Sequence, residues 1–198
     1  MVARISVGKN LYGALAYNQN KVDEGGAKVL SAHLLRYPED GRFRPDESMR
    51  QFLEWMPNHY RTEKPVIHIS LNPHPDDVLT DSQLAEIGRE YMQRLGYGNQ
   101  PYLVFKHEDI GRHHIHIVSL RVDSEGRKVS DKFEYRRSKE ITELLEQKYG
   151  LHTAERKRQT QTEPLRAVDA AAGDVKKQIG NVLKGISGKY RFQTLGEY

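Results

Sequence analysis

The sequence predicts an α+β sandwich in which long helices separate strands that form an antiparallel or mixed sheet. Three observations carry that expectation. Short alternating or apolar segments recur along the chain, and two of them, 102–107 and 113–122, are close enough to form a hairpin. Other segments repeat apolar residues at the 3,4 spacing of a buried helix face. A length of 198 residues with 37% hydrophobic content gives one or two globular domains. The chain has no cysteine, which excludes a disulfide scaffold, thiolate zinc sites and cysteine nucleophiles. Its apolar stretches are too short to cross a bilayer, and its first residues lack the apolar block of a secretory signal. A soluble, cytoplasmic protein without membrane insertion is expected.

The elements follow in order. Val2, Ile5 and Val7 form an imperfect alternation that suits a first strand. Leu11 to Asn18 is a short apolar segment open to a helical reading and interrupted by Gly13. Asn18 to Lys28 is mostly polar, contains Asp23-Glu24-Gly25-Gly26, and reads as a loop before a second strand over 27–35. Pro45 opens a helix whose buried face is Met49, Phe52, Leu53 and Met56, ended by Pro57. From Pro65 to Leu71, Ile67, Ile69 and Leu71 alternate with Val66, His68 and Ser70, which gives a strand with one clearly apolar face. Thr80-Asp81-Ser82-Gln83 has the form of a capping box, and Leu84, Ile87, Tyr91 and Leu95 continue one helix face to Gly96. The hairpin comes next, joined by residues 108–112. Asp123 to Gly126 is a turn, and a helix over 139–149 buries Ile141, Leu144, Leu145 and Tyr149.

Composition changes near residue 152. Residues 152–198 hold nine Lys/Arg against five Asp/Glu, so the whole net charge of +4 lies there and the first 151 residues are neutral. The expected organisation is a main domain over 1–151 and, over 152–198, a basic linker followed by a C-terminal helix from about 164 to 186. Gly173, Gly180 and Gly185 weaken that helix by propensity. A basic tail on a neutral body suits an anionic polymer, and a solvated charged helix explains it nearly as well. The natural polypeptide is expected to continue past Tyr198.

Chemistry concentrates in the hairpin. Four of the nine histidines fall between 107 and 116. Residues i and i+2 of a strand share a face, so His114 and His116 project together while Ile115 and Ile117 face the other way. The loop brings His107 beside this pair. Three imidazoles without a thiol suit a divalent ion with coordination positions left open. A lone His-x-His would read better as a solvated strand face, and the third histidine on the other arm tips the reading to a metal site. His113 falls on the apolar side by alternation and is not a ligand. Asp109 is either an acceptor for an imidazole N–H or a turn residue. Such a site serves a hydrolase that activates water, or a phosphodiester enzyme in which another group attacks. No His-Glu-x-x-His or Gly-x-Ser-x-Gly is present, and tyrosine, with eleven copies, stands out.

His107-x-Asp109 followed by His114-Ile115-His116-Ile117-Val118 resembles the metal motif of the HUH relaxases, the mobilisation nucleases of plasmids and mobilisable transposons. Leu11-Tyr12-Gly13-Ala14-Leu15-Ala16-Tyr17 is similar to the family's tyrosine motif, and His68-Ile69-Ser70-Leu71-Asn72-Pro73 to its second motif. The resemblance runs over residues 1 to about 150. It implies the HUH fold, a central antiparallel sheet with helices packed on one face and single-stranded DNA on the other. It further implies a site- and strand-specific nick at an origin of transfer for conjugative mobilisation, with a tyrosine joined to the 5′ phosphate. Carried over by residue, Tyr17 is the nucleophile, preferred to Tyr12, which is read as a packing residue, and His107, His114 and His116 are the metal ligands. Arg112 stands where some relatives carry another histidine.

The implied cofactor is a divalent ion, Mg or Mn, with Zn, Ni or Co as substitutes in crystals. The implied partners are single-stranded origin DNA, an accessory mobilisation protein and a coupling protein in the bacterial cytoplasm. Lys9, Lys21, Arg136 and Arg137 are the candidate DNA contacts. Two alternatives stand beside this reading: a metal-dependent phosphodiester hydrolase using activated water, and a non-catalytic DNA-binding module with a structural metal.

Overall fold

The computed structural model describes residues 1–36, 44–108 and 113–154. Five strands, β1 (Val2–Gly8), β2 (Ala27–His33), β3 (Val66–Asn72), β4 (Tyr102–His107) and β5 (His114–Leu120), form one sheet in the order β1-β3-β5-β4-β2. Every neighbouring pair is antiparallel. The helices of the described residues are α1 (Leu11–Asp23), α2 (Pro45–Trp55), α3 (Asp81–Met92) and α4 (Glu134–Tyr149). The α+β class with a central antiparallel sheet is as the sequence predicts.

Strand alternation sorts the core into two layers. Ile67, Ile69 and Leu71 of β3, Val104 of β4, and Ile115 and Ile117 of β5 point to one face. There they pack with Leu84, Ile87 and Tyr91 of α3 and Ile141 and Leu145 of α4. Gly88 lets α3 approach closely, since a Cβ there would stand 3.1 Å from Ile115 Cδ1. The opposite face carries Val66, Leu103, Phe105, Val118 and Leu120, which pack with Leu11 and Leu15 of α1 and Phe52 of α2. Helices therefore lie on both faces, not on one alone. The reason lies in the strands: beyond His116, β5 turns apolar on the histidine side, and that surface requires cover.

Several boundaries differ from the sequence expectation. Helix α1 runs on to Asp23, through what reads as a loop from Asn18, because Leu11, Leu15, Asn18 and Val22 continue one inward face. Strand β2 stops at His33, with a register shift between Val29 and Ser31 and Leu34 at φ 56°. Pro45 and the Thr80 capping box open α2 and α3 as expected. Helix α3 passes into a π turn over Gln93–Tyr97, where Gly96 takes φ 98°, a conformation that disfavours any Cβ. Helix α4 begins at Glu134, five residues early, because its first inward positions are the polar Glu134 and Ser138. Ser138 bonds Tyr91 at 2.6 Å. The expected helix over 164–186 lies outside the described residues. No helix among the described residues is long and apolar enough to cross a membrane.

Candidate active site

The β4–β5 register pairs His107 directly with His114, and Phe105 with His116. With the two-residue period of β5, this sets the three imidazoles on the α1 side of the sheet. One ligating nitrogen from each of His107, His114 and His116 lies within 4.8 Å of the other two. Two nitrogens that share an ion at about 2.1 Å are at most about 4.2 Å apart, so small ring movements close the triad on an ion. His107 and His114 are buried and His116 is half-buried, which leaves the approach to the cluster on the His116 side.

Two further residues hold the rings, and the sequence analysis gives neither a role at the site. Asn18 of α1 is fully buried, and its Oδ1 lies 2.8 Å from His107 Nε2. An amide oxygen only accepts, so Nε2 donates and the lone pair of His107 falls on Nδ1. His68 of β3 has Nε2 2.8 Å from His116 Nδ1. Burial lowers the His68 pKa from its ordinary value, which favours the neutral imidazole. One of the two nitrogens donates to the other across this contact, so the rings of His68 and His116 hold each other in place. The donor set thus fits a divalent ion: three imidazoles without thiols, one of them, His107, backed by an amide oxygen that holds its Nε2–H. His68 is signalled in the sequence as a polar position on a strand with one apolar face and as the first residue of the segment similar to the family's second motif. Asn18 is signalled by its 3,4 spacing after Leu11 and Leu15.

Tyr17 projects from α1 beside this cluster. Its ring centroid lies 6.0 Å from His107, 6.1 Å from His116 and 6.4 Å from His68, and the side chain is 45% exposed. Tyr12, on the same helix, is 48% exposed, so it does not pack as the sequence suggests. Asn10 caps the N-terminus of α1 by accepting from the Gly13 N–H at 2.8 Å, and Asn18 fastens the helix to β4 beyond Tyr17.

The remaining candidates scatter. Asp109 and Arg112 lie outside the described residues. His113 precedes β5 and faces solvent beside Glu108, 3.2 Å away, so it is not a triad member, but neither does it point to the apolar side. Lys9 lies 4.0 Å from Glu63, and Lys21 pairs with Glu24 at 3.5 Å. Arg136 pairs with Glu140, and Arg137 donates to the backbone oxygens of Leu95 and Ser130. Both arginines belong to α4, which packs on the face away from the histidines. Beside the triad, β1 and β3 instead present Arg4, Ser6, Ser70 and Asn72 on the histidine face, with Ser70 paired to His116 and Arg4 to Ser70.

The antiparallel sheet thus brings a tyrosine beside three histidines that could hold a metal ion. Comparison with protein families gives the class. Residues 17–151 match the model of the relaxase family, described as MobA/VirD2-like, nuclease domain. The chain belongs to this family, and its function is that of a relaxase nuclease. No curated protein matches the chain.

Proposed function

We propose that the protein nicks and rejoins single-stranded DNA at an origin of transfer, in a site- and strand-specific manner, with Tyr17 as nucleophile. The observation that carries this reading is the approach of the Tyr17 ring to within 6.0–6.4 Å of His107, His116 and His68. The tyrosine oxygen attacks the scissile phosphorus. A P–O bond to Tyr17 forms, the P–O3′ bond breaks, and the 3′ oxygen leaves as a hydroxyl once it gains a proton. Reversal by a 3′ hydroxyl rejoins the strand, because the phosphotyrosine keeps the diester.

His107, His114 and His116 would hold a divalent ion, with Mg or Mn the proposed metal in the cell. When bound, it supplies positive charge to offset that which builds on the nonbridging phosphate oxygens. The tyrosine hydroxyl, with a reference pKa of about 10, must pass its proton to an acceptor as it attacks. Arg4, Ser6, Ser70 and Asn72 give the histidine face a polar floor along which a single strand can be held by phosphate contacts. Lys9 and Lys21 remain candidates for such contacts at greater reach, and Arg136 and Arg137 have weaker support from their place on α4. Use in conjugative mobilisation in the bacterial cytoplasm, with accessory and coupling proteins as partners, belongs to the same proposal.

The test is incubation of the full chain with labelled origin oligonucleotides, single-stranded and duplex, with Mn2+ or with a chelator. The expected result is metal-dependent cleavage of the single strand together with a protein–DNA adduct on a denaturing gel. Cleavage without adduct would establish a water-attack hydrolase instead, and binding without cleavage a DNA-binding module.

A further inference from the structure

We propose that Asn18 is a positioning residue that sets the ring orientation and tautomer of His107 and ties the Tyr17 helix to the metal site. The proposal rests on the reading of His107, His114 and His116 as ligands. Asn18 is fully buried and occupies an inward position of α1 between Leu15 and Val22, where an apolar side chain would continue the core. It makes two bonds of opposite sense. Nδ2 donates to the Ala14 oxygen at 2.7 Å, and Oδ1 accepts from His107 Nε2 at 2.8 Å. The amide cannot be turned over. Doing so would set Oδ1 against the Ala14 carbonyl and offer hydrogens to a nitrogen that would then have to give up its own.

The first bond fixes the amide, and the fixed amide fixes the imidazole. His107 must then carry a proton on Nε2, which in the neutral ring puts the lone pair on Nδ1, so one of the three ligands is prepared for the ion before any ion binds. The same amide joins α1 to β4 one residue past Tyr17. Ring orientation at the ion and placement of the nucleophile are thereby set by one side chain. A merely structural asparagine would do neither, since a helix-interior amide bonded only to the i−4 carbonyl adds little to stability.

Two substitutions separate these roles in the full chain. Asn18→Leu is close in volume and removes both bonds. Asn18→Asp keeps an acceptor for His107 but loses the donor to Ala14 and buries a charge. Three measurements apply: the imidazole 15N signals of His107 in metal-free protein, Mn2+ affinity by calorimetry, and the metal-free melting temperature. Wild type is expected to show the Nε2–H form of His107. Asn18→Asp should keep that form and hold the Mn2+ Kd within about threefold while melting earlier. Asn18→Leu should lose the single tautomer and weaken Mn2+ binding by roughly 10- to 100-fold, the scale for loss of an outer partner to a ligand, with a smaller fall in melting temperature.

A folded Asn18→Leu protein with unchanged Kd and the Nε2–H form intact would overturn the proposal. So would a loss of affinity that tracks melting temperature across both variants. If wild type and His114→Ala alike bind no Mn2+, the metal reading itself fails, and this proposal with it.

Discussion

The two faces of β5 divide the molecule's labour within a single strand. Ile115 and Ile117 are fully buried against α3, while His114 and His116, one residue out of step, form the candidate metal site with His107. A one-residue slip of β5 against β3 and β4 would exchange the two sets. Burying two imidazoles among isoleucines while exposing two isoleucines is costly, so the apolar face acts as the register lock for the polar one. The chemistry is therefore placed by residues that take no part in it. Farther along the strand, Val118 and Leu120 return the histidine face to core under α1 and α2, and the polar surface is confined to the hairpin end and the β1–β3 side.

If the faces are separable in this way, substitutions on each should fail differently. His116→Ala should have the largest effect: ion affinity and cleavage fall together by more than the roughly 100-fold attached to an outer partner, while the metal-free unfolding midpoint scarcely moves. Calorimetry with Mn2+ and urea unfolding read the two quantities. Ile117→Ala should invert the pattern, lowering stability by about 2–5 kcal/mol through lost burial and a cavity while the folded fraction retains its ion affinity. Loss of ion binding by folded Ile117→Ala protein would show that the faces are not separable.

Thr80→Ala removes the cap of α3, where the Thr80 Oγ1 accepts from the Gln83 N–H at 3.2 Å. It should cost about 1 kcal/mol with no change in cleavage. The smallest expected effect concerns Glu134, whose pKa burial raises above its ordinary 4.5, with Arg121 opposing. A raised carboxylate pKa means that the charged form is disfavoured in the fold. Its penalty is absent below the ordinary value and grows as pH rises through the folded one. Glu134→Gln should therefore melt higher than wild type at neutral pH, with the gain vanishing toward about pH 4; an equal difference at both ends would contradict it.

Wherever inward positions are apolar, the elements are legible in the sequence. The isoleucines of β3 and β5 and the Leu84, Ile87 and Tyr91 face of α3 announce their period directly. Legibility fails where polar residues take inward positions. Helix α1 reads as ending at Asn18, yet it continues for another turn, because the inward polar residue there bonds His107. Helix α4 hides its first turn in the same manner, with Glu134 and Ser138 buried where apolar residues would have marked the face. The triad itself is legible because its spacing carries the strand period. The role of His68 is not, because its partner His116 lies 48 residues away and only the antiparallel pairing of β3 with β5 brings them together.

The most direct test of covalent catalysis at Tyr17 is to locate the adduct. The 198-residue chain is incubated with Mn2+ and single-stranded origin oligonucleotides, digested with nuclease and protease, and the peptide that retains a nucleotide is sequenced by mass spectrometry. The expected result is a phosphonucleotide on Tyr17, with none in Tyr17→Phe protein that folds and binds Mn2+ as wild type does. A phosphonucleotide on Tyr12 or any other residue, or cleaved DNA with no modified peptide, would contradict it.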